Sequence, residues 1–340
     1  MPRRNAALLY AALAALAMTT EADALDLEGH RGARGLAPEN TLPAFARALE
    51  VGVTTLELDT CVTSDGVLVV HHDCRLDPDI ARGPDGRWIK APPAIRELTF
   101  HELQRYDVGR IRPGSEYSKR FPEQRRMDGV RIPTLESVFE LTRHARNDAV
   151  RFNIETKISP LDPDTAPGPE EFARAVIKAI RANGMEKRAI VQSFDWRTLA
   201  VVLKEAPEIA ISYLTAEREW LDNIDRGHPD VSPWTAGIRF RDHGSVPRMI
   251  AAALAVVPPD QRKRAERIWS PYFGDLTAAL VKEAKGLGLR VLPWTVNERA
   301  DLEQMIDWGV DGIITDYPDR LREIMRARGL PLPAPTPVSP

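Results

Sequence analysis

A (β/α)8 barrel is the fold this chain predicts, and three observations predict it. From Leu25 onward, short β-branched runs alternate with amphipathic stretches of helical period. The runs number eight and most are followed by a helical stretch, which over roughly 315 residues suits a barrel better than a doubly wound sheet. Histidine or acid is carried by three of them, Leu27-Glu28-Gly29-His30-Arg31, Thr55-Leu56-Glu57-Leu58-Asp59 and Phe152-Asn153-Ile154-Glu155, and by a further short apolar strand ending in His71-His72-Asp73. Polar groups at the end of a buried strand are costly unless they meet a partner, a metal or a substrate. Four such ends imply one shared site at one end of a barrel.

Residues 1–24 stand apart. Arg3 and Arg4 precede an apolar stretch from Ala6 to Met18, and Ala22-Asp23-Ala24 follows. That is the charged, apolar and small-x-small order of a secretory leader, too short for a membrane span of about 20 residues. A periplasmic or secreted chain beginning near Leu25, with no stable membrane anchor, is expected.

The candidate strands then run Leu27–Arg31, Thr55–Asp59, Phe152–Glu155, Ile190–Ser193, Ile209–Leu214, Ile268–Pro271, Val291–Thr295 and Gly312–Thr315. Between them lie helical stretches such as Thr41–Glu50, Glu171–Asn183, Asp275–Gly286 and Glu298–Trp308. The barrel is expected over 25–328. Residues 75–131, rich in Pro, Gly, Arg and Asp, read as an insertion over its mouth after the second strand's hairpin, with one helical piece near Thr99–Tyr106. Residues 220–267 form a second irregular stretch. The Pro-rich end, 329–340, is expected to be a disordered tail. A formal charge of −3 with no Lys/Arg run gives no sign of a nucleic-acid partner, and no glycine-rich nucleotide loop occurs.

Side chains alternate along a strand, so Glu57 and Asp59 share a face. Asp65-Gly66 reads as a two-residue hairpin turn. That register pairs Ser64 with Val67 and sets Asp59 opposite His72, so His72 joins the carboxylates while His71 faces away. The same register sets Cys61 opposite Val70, about 13 Å along the strand from the level of Cys74. Bridged cysteines need Cα atoms within roughly 7 Å, so the only two cysteines are expected to be unbonded to each other.

Carboxylates with little thiol suit a hard divalent cation, and histidines beside it suit proton transfer at phosphoester oxygens. Glu155-x-Lys157 adds an acid and a cation on one strand face. In order along the chain, Gly29-His30-Arg31-Gly32-Ala33, Pro38-Glu39-Asn40-Thr41, Glu57-x-Asp59, Val69-Val70-x-His72-Asp73, Ile132-Pro133-Thr134-Leu135, Ile154-Glu155-x-Lys157, Val191-Gln192-Ser193-Phe194-Asp195, Trp294-Thr295-Val296-Asn297 and Gly312-Ile313-Ile314-Thr315-Asp316-x-Pro318 resemble the glycerophosphodiester phosphodiesterases. The resemblance covers nearly all of 27–325.

It implies hydrolysis of glycerophosphodiesters to glycerol 3-phosphate and an alcohol. One divalent cation, Ca²⁺ or Mg²⁺, would be held by Glu57, Asp59 and Glu155, with His30 and His72 as general acid and base. Arg31 and Lys157 would hold phosphate oxygens. Glu39, Gln192, Phe194 and Trp294 would line the substrate pocket. Two other readings are carried forward: a lysophospholipase D or sphingomyelinase-D-like enzyme, which an apolar rim on 75–131 would favour, and an exported binding protein without catalysis.

Overall fold

The computed structural model describes residues 24–227, 230–256, 258 and 266–340. All of the expected leader except Ala24 lies outside the described residues.

Eight parallel strands form a nearly closed barrel: β1 (Asp26–Gly29), β2 (Thr55–Val62), β4 (Arg151–Thr156), β5 (Ala189–Ser193), β6 (Ala210–Thr215), β9 (Arg267–Pro271), β10 (Arg290–Val291) and β11 (Gly312–Thr315). Their order is β10-β9-β6-β5-β4-β2-β1-β11. Each matches a run read from sequence. β10 is the shortest because Pro293 has no N–H to extend a ladder. The β10 and β11 segments still meet, with Asp311 N donating to Val291 O at 2.9 Å and Val296 N to Ile314 O at 3.0 Å.

The helices follow the same logic. Thr41 caps Leu42–Val51, its hydroxyl accepting from Ala44 N, and Phe45, Ala48 and Leu49 turn the apolar stripe onto the barrel. Pro169–Ala182, Ala278–Gly286 and Arg299–Asp307 likewise sit within about two or three residues of the expected stretches.

The hairpin after β2 departs from expectation, and two corrections follow. Gly66 N donates to Thr63 O and Thr63 N to Val67 O, so the loop holds three residues, with Gly66 at φ +81. A left-handed residue closing a three-residue loop favours glycine and moves the register by one. The partner strand β3 (Leu68–Val70) therefore sets Thr60 against Val70 and Cys61 against Val69. The last bond of this ladder runs from His71 N to Asp59 O at 3.1 Å, and the chain then bends back.

That bend brings Cys74 to Cys61, and the two form a disulfide with Cα atoms 5.5 Å apart. The expectation of unbonded cysteines is thus overturned, because a regular ladder was extended past its end. A loop of this size, closed covalently, contributes about 3 kcal/mol in the chain-entropy account. The bond also anchors the insertion. Cys61, Val69, Cys74, Leu76, Ile95, Leu103, Val108 and Ile132 form a small core of their own, so 75–131 is a packed cover and not a loose loop.

The Pro-rich end also differs from its expected disorder. Residues 330–340 have no regular structure, yet Leu330, Leu332 and Val338 pack on the main core. Thr336 N donates to Leu49 O, and Arg322 Nη1 to Pro333 O at 2.7 Å. Proline costs little chain entropy to immobilise, and this segment offers carbonyls and apolar rings to a waiting surface.

Candidate active site

The C-terminal ends of the barrel strands open into one cavity of about 1060 Å³. All the residues expected at the site line it: His30, Arg31, Glu39, Glu57, Asp59, His72, Glu155, Lys157, Gln192, Phe194 and Trp294. His71 does not, so His72 is the one that shares the cavity with the carboxylates, although the register behind that expectation does not hold. In the observed register a longer ladder would have put His71 on the face of Asp59. The chain turns off the ladder instead and carries His72 into the cavity.

A tight turn at the end of β1 sets the first half of the site. A Cβ on Gly29 would lie 2.0 Å from Gly32 O, and Arg31 and Gly32 take left-handed φ of 49 and 82. This aims Arg31 N at Glu57, with the N–H donating to Oε2 at 2.8 Å. The Arg31 side chain donates to Glu39 Oε1 at 2.6 Å and lies 3.5 Å from Asp59 Oδ2. Its Nε is buried without a hydrogen-bond partner. Asn40 Nδ2 donates to Asp59 Oδ2 at 2.8 Å, and Gln192 Nε2 to Glu57 Oε1 at 2.6 Å. Lys157 Nζ lies 2.9 Å from Glu155 Oε1, 3.7 Å from Asp59 Oδ1 and 3.1 Å from His72 Nε2.

Ligand oxygens of Glu57, Asp59 and Glu155 lie within 4.8 Å of one another, and all three residues are buried. Their protonation diverges. Burial, then the charge of Asp59, pushes Glu57 well above the usual carboxylate range. Burial pushes Glu155 up to about 8, with Lys157 opposing and Asp59 adding to the shift. Burial raises Asp59 too, but His72, Lys157 and Arg31 together hold it well below its ordinary value. Three carboxylates this close cannot all ionise unless further positive charge arrives.

The two histidines are held unequally. His30 Nδ1 is hydrogen-bonded with Asp316 Oδ1 at 2.6 Å, while its Nε2 faces Glu57 Oε2 at 3.9 Å. Burial, then Arg34, lowers His30 to about 4 despite Asp316. His72 Nδ1 faces Asp73 at 2.9 Å; these side chains are 28% and 55% exposed, whereas Asp316 is 1% exposed. Burial, then Arg31 and Lys157, lowers His72 as well.

Across the cavity the lining is aromatic. Phe194 and Trp294 meet edge to face at 5.4 Å, Tyr272 and Trp294 at 5.6 Å, and Trp220 touches both Tyr272 and Trp294. Trp294 Nε1 is already spent on Ser270 O at 2.9 Å. Trp220 sits at the tip of a small hairpin, β7 (Glu217–Arg218) with β8 (Leu221–Asp222), and is 60% exposed.

Sequence reading missed several site residues. Asn40 and Asp316 lie inside the family motifs, and their places, just before the capping Thr41 and just past the end of a strand, were the available signal. Trp220 and Tyr272 had none, since a lone aromatic in an irregular stretch or at a strand end is core as often as lining. Arg34 and Tyr117 reach the site only through tertiary packing.

A family model described as "Glycerophosphoryl diester phosphodiesterase family" matches residues 30–320. A glycerophosphodiester phosphodiesterase of Caldanaerobacter subterraneus subsp. tengcongensis is 33% identical over 300 residues, spanning 88% of this chain and 97% of the relative. A solved structure from Silicibacter pomeroyi DSS-3 is 35% identical and superposes with a TM-score of 0.77, covering 91% of this chain and 95% of that one. An Oleispira antarctica phosphodiesterase, solved in complex with its product sn-glycerol-3-phosphate, shares the fold at 20% identity and a TM-score of 0.60, covering 89% and 97%.

Proposed function

The chain belongs to the glycerophosphoryl diester phosphodiesterase family and is a glycerophosphodiester phosphodiesterase, and from that footing we propose how its site works. One divalent cation, Ca²⁺ or Mg²⁺, is held by Glu57, Asp59 and Glu155, and His30 and His72 act as general acid and base. The observation that carries the reading is the carboxylate trio, with ligand oxygens within 4.8 Å, beside two histidines that line the same cavity. The donor set fits a hard cation, being oxygen only and short of positive charge. When bound, that cation supplies charge neutralisation at the nonbridging phosphate oxygens.

The chain's own residues do the rest. Lys157 Nζ and the guanidinium of Arg31 offer positive charge and donors to the developing negative charge of the phosphorane. One histidine takes a proton from the nucleophile, and the other gives a proton to the leaving alkoxide. Gln192 orients Glu57, and Glu39 orients Arg31. Phe194 and Trp294, with Trp220 and Tyr272, pack against the part of the substrate that needs no hydrogen bonds, the alcohol, while the glycerol hydroxyls stay with the polar half.

The lysolipid reading expected an apolar rim on 75–131. Among the described residues the exposed large hydrophobics are Leu161, Trp220, Val231, Val256 and Leu287, none of them in that segment. Glycerophosphocholine and glycerophosphoethanolamine therefore stand first as substrates. The binding-protein reading needed a broken histidine or ligand set, and this one is complete.

A test follows release of glycerol 3-phosphate from both diesters, with lysolipids alongside. Chelation should abolish it, and added Ca²⁺ or Mg²⁺ should restore it. Full activity in chelated enzyme would remove the trio's assigned role, and cleavage of lysolipids alone would replace the substrate.

A periplasmic or secreted location is part of the same proposal. The leader pattern supports it, as does the disulfide, since such bonds persist in oxidising compartments. Mass spectrometry of the native protein should return a chain beginning near Leu25 with no free thiol. A chain retaining Met1 would defeat the leader.

A further inference from the structure

Asp316 lies at the end of β11, outside the charged cluster, yet four hydrogen bonds converge on its buried carboxylate. Oδ1 accepts from His30 Nδ1 at 2.6 Å and from Arg34 Nε at 2.7 Å. Oδ2 accepts from Arg34 Nη2 at 3.0 Å and from Asn297 Nδ2 at 2.7 Å. Asn297 is itself pinned, its Oδ1 accepting from Asp316 N at 3.0 Å and from the Thr315 hydroxyl at 3.2 Å. The two-pronged arginine contact fixes the plane of the carboxylate. Nothing in the proposed chemistry uses Asp316, and it reaches the cavity chiefly through His30.

We propose that Asp316 is a positioning residue that locks His30 in the tautomer carrying its proton on Nδ1, so that the bare Nε2 faces the reacting phosphate. An ionised carboxylate can only accept hydrogen bonds, so the ring nitrogen 2.6 Å from it must donate. With Nδ1 protonated, the neutral ring holds its lone pair on Nε2, on the side of Glu57. His72 is held differently, its Nδ1 meeting the half-exposed Asp73 and its Nε2 lying 3.1 Å from Lys157 Nζ. The buried carboxylate lock with a free Nε2 belongs to His30. This role rests on the two-histidine reading.

The substitution D316N keeps the shape and changes the donor pattern. An amide NH₂ at the Oδ2 place would face two donors, Arg34 Nη2 and the pinned Asn297. At the Oδ1 place it faces one donor and the ring, and it favours the tautomer with the proton on Nε2. The metal-loaded D316N enzyme should lose kcat by about 10²–10⁴-fold, as carboxylate-to-amide changes behind a catalytic histidine do, with KM within about threefold of wild type. Nitrogen-15 spectra of histidine-labelled wild type should show the His30 proton on Nδ1, and those of D316N should show it on Nε2. The wild-type spectrum decides the tautomer even if D316N fails to fold. A proton on Nε2 in the wild type, or a folded D316N with wild-type kcat, overturns the role. His30→Ala, assayed beside it, separates the failures. An inactive His30→Ala with an active D316N overturns the positioning role alone, whereas a fully active His30→Ala overturns the two-histidine reading and this role with it.

Discussion

On the β1, β2 and β4 side of the mouth the lining is charged, and nearly every group is tied to another. Arg31 is bound to Glu39, Lys157 to Glu155 and Asn40 to Asp59, at 2.6 to 2.9 Å. On the β5, β9 and β10 side the lining is aromatic, and the rings of Phe194, Trp220, Tyr272 and Trp294 meet edge to face at 5.4 to 6.1 Å. The first half is a network in which removing one partner strands a buried charge. The second half is a surface of weak, separable contacts. On the proposed function, chemistry falls to the half that cannot be altered one residue at a time, and tuning for the alcohol to the half that can.

The sharpest way to break this comparison is at the adjacent histidines. His72→Ala should lower turnover by about 10²–10⁴-fold, the range for loss of a general acid or base. His71→Ala should leave kcat near wild type and lower the melting temperature instead, because His71 is buried at 2% exposure away from the cavity. Steady-state kinetics and thermal melts of both variants settle the ranking, and the reverse order would show that the charged half has been drawn around the wrong ring.

A smaller effect sharpens the other side. Trp220→Ala should leave kcat intact and raise KM by about 2- to 30-fold for diesters whose alcohol carries a quaternary ammonium or an apolar group. That range corresponds to about 0.5–2 kcal/mol of ring contact. Glycerophosphodiesters of small hydrophilic alcohols should change less. A loss of kcat with KM unchanged would mean that the aromatic half takes part in the chemistry.

Much of this could be read from residue order. The eight strands, their helices and the residues at the strand ends follow from local periodicity and capping, which depend on neighbours within a few positions. His30, Glu57, Asp59, Glu155 and Lys157 could be singled out because polar groups closing an apolar strand are visible without knowing which strand lies beside which. Trp220 and Tyr272 could not, because nothing local distinguishes a ring that lines a cavity from one that fills a core.

Three features were decided by the tertiary structure alone. One extra loop residue, allowed by Gly66 at φ +81, moved the hairpin register, and the bend past Val70 then delivered both His72 to the cavity and Cys74 to Cys61. The Pro-rich end found carbonyl and apolar partners that only the folded barrel presents. Asp316 meets His30 across 286 residues of chain, a pairing made when β11 closes on β1. The sequence by itself determined which residues stand at the ends of strands, because strand and helix periods are local. Which of those residues touch was decided by ladder register and barrel closure, long-range events in which a single-residue shift moves a side chain from one face to the other.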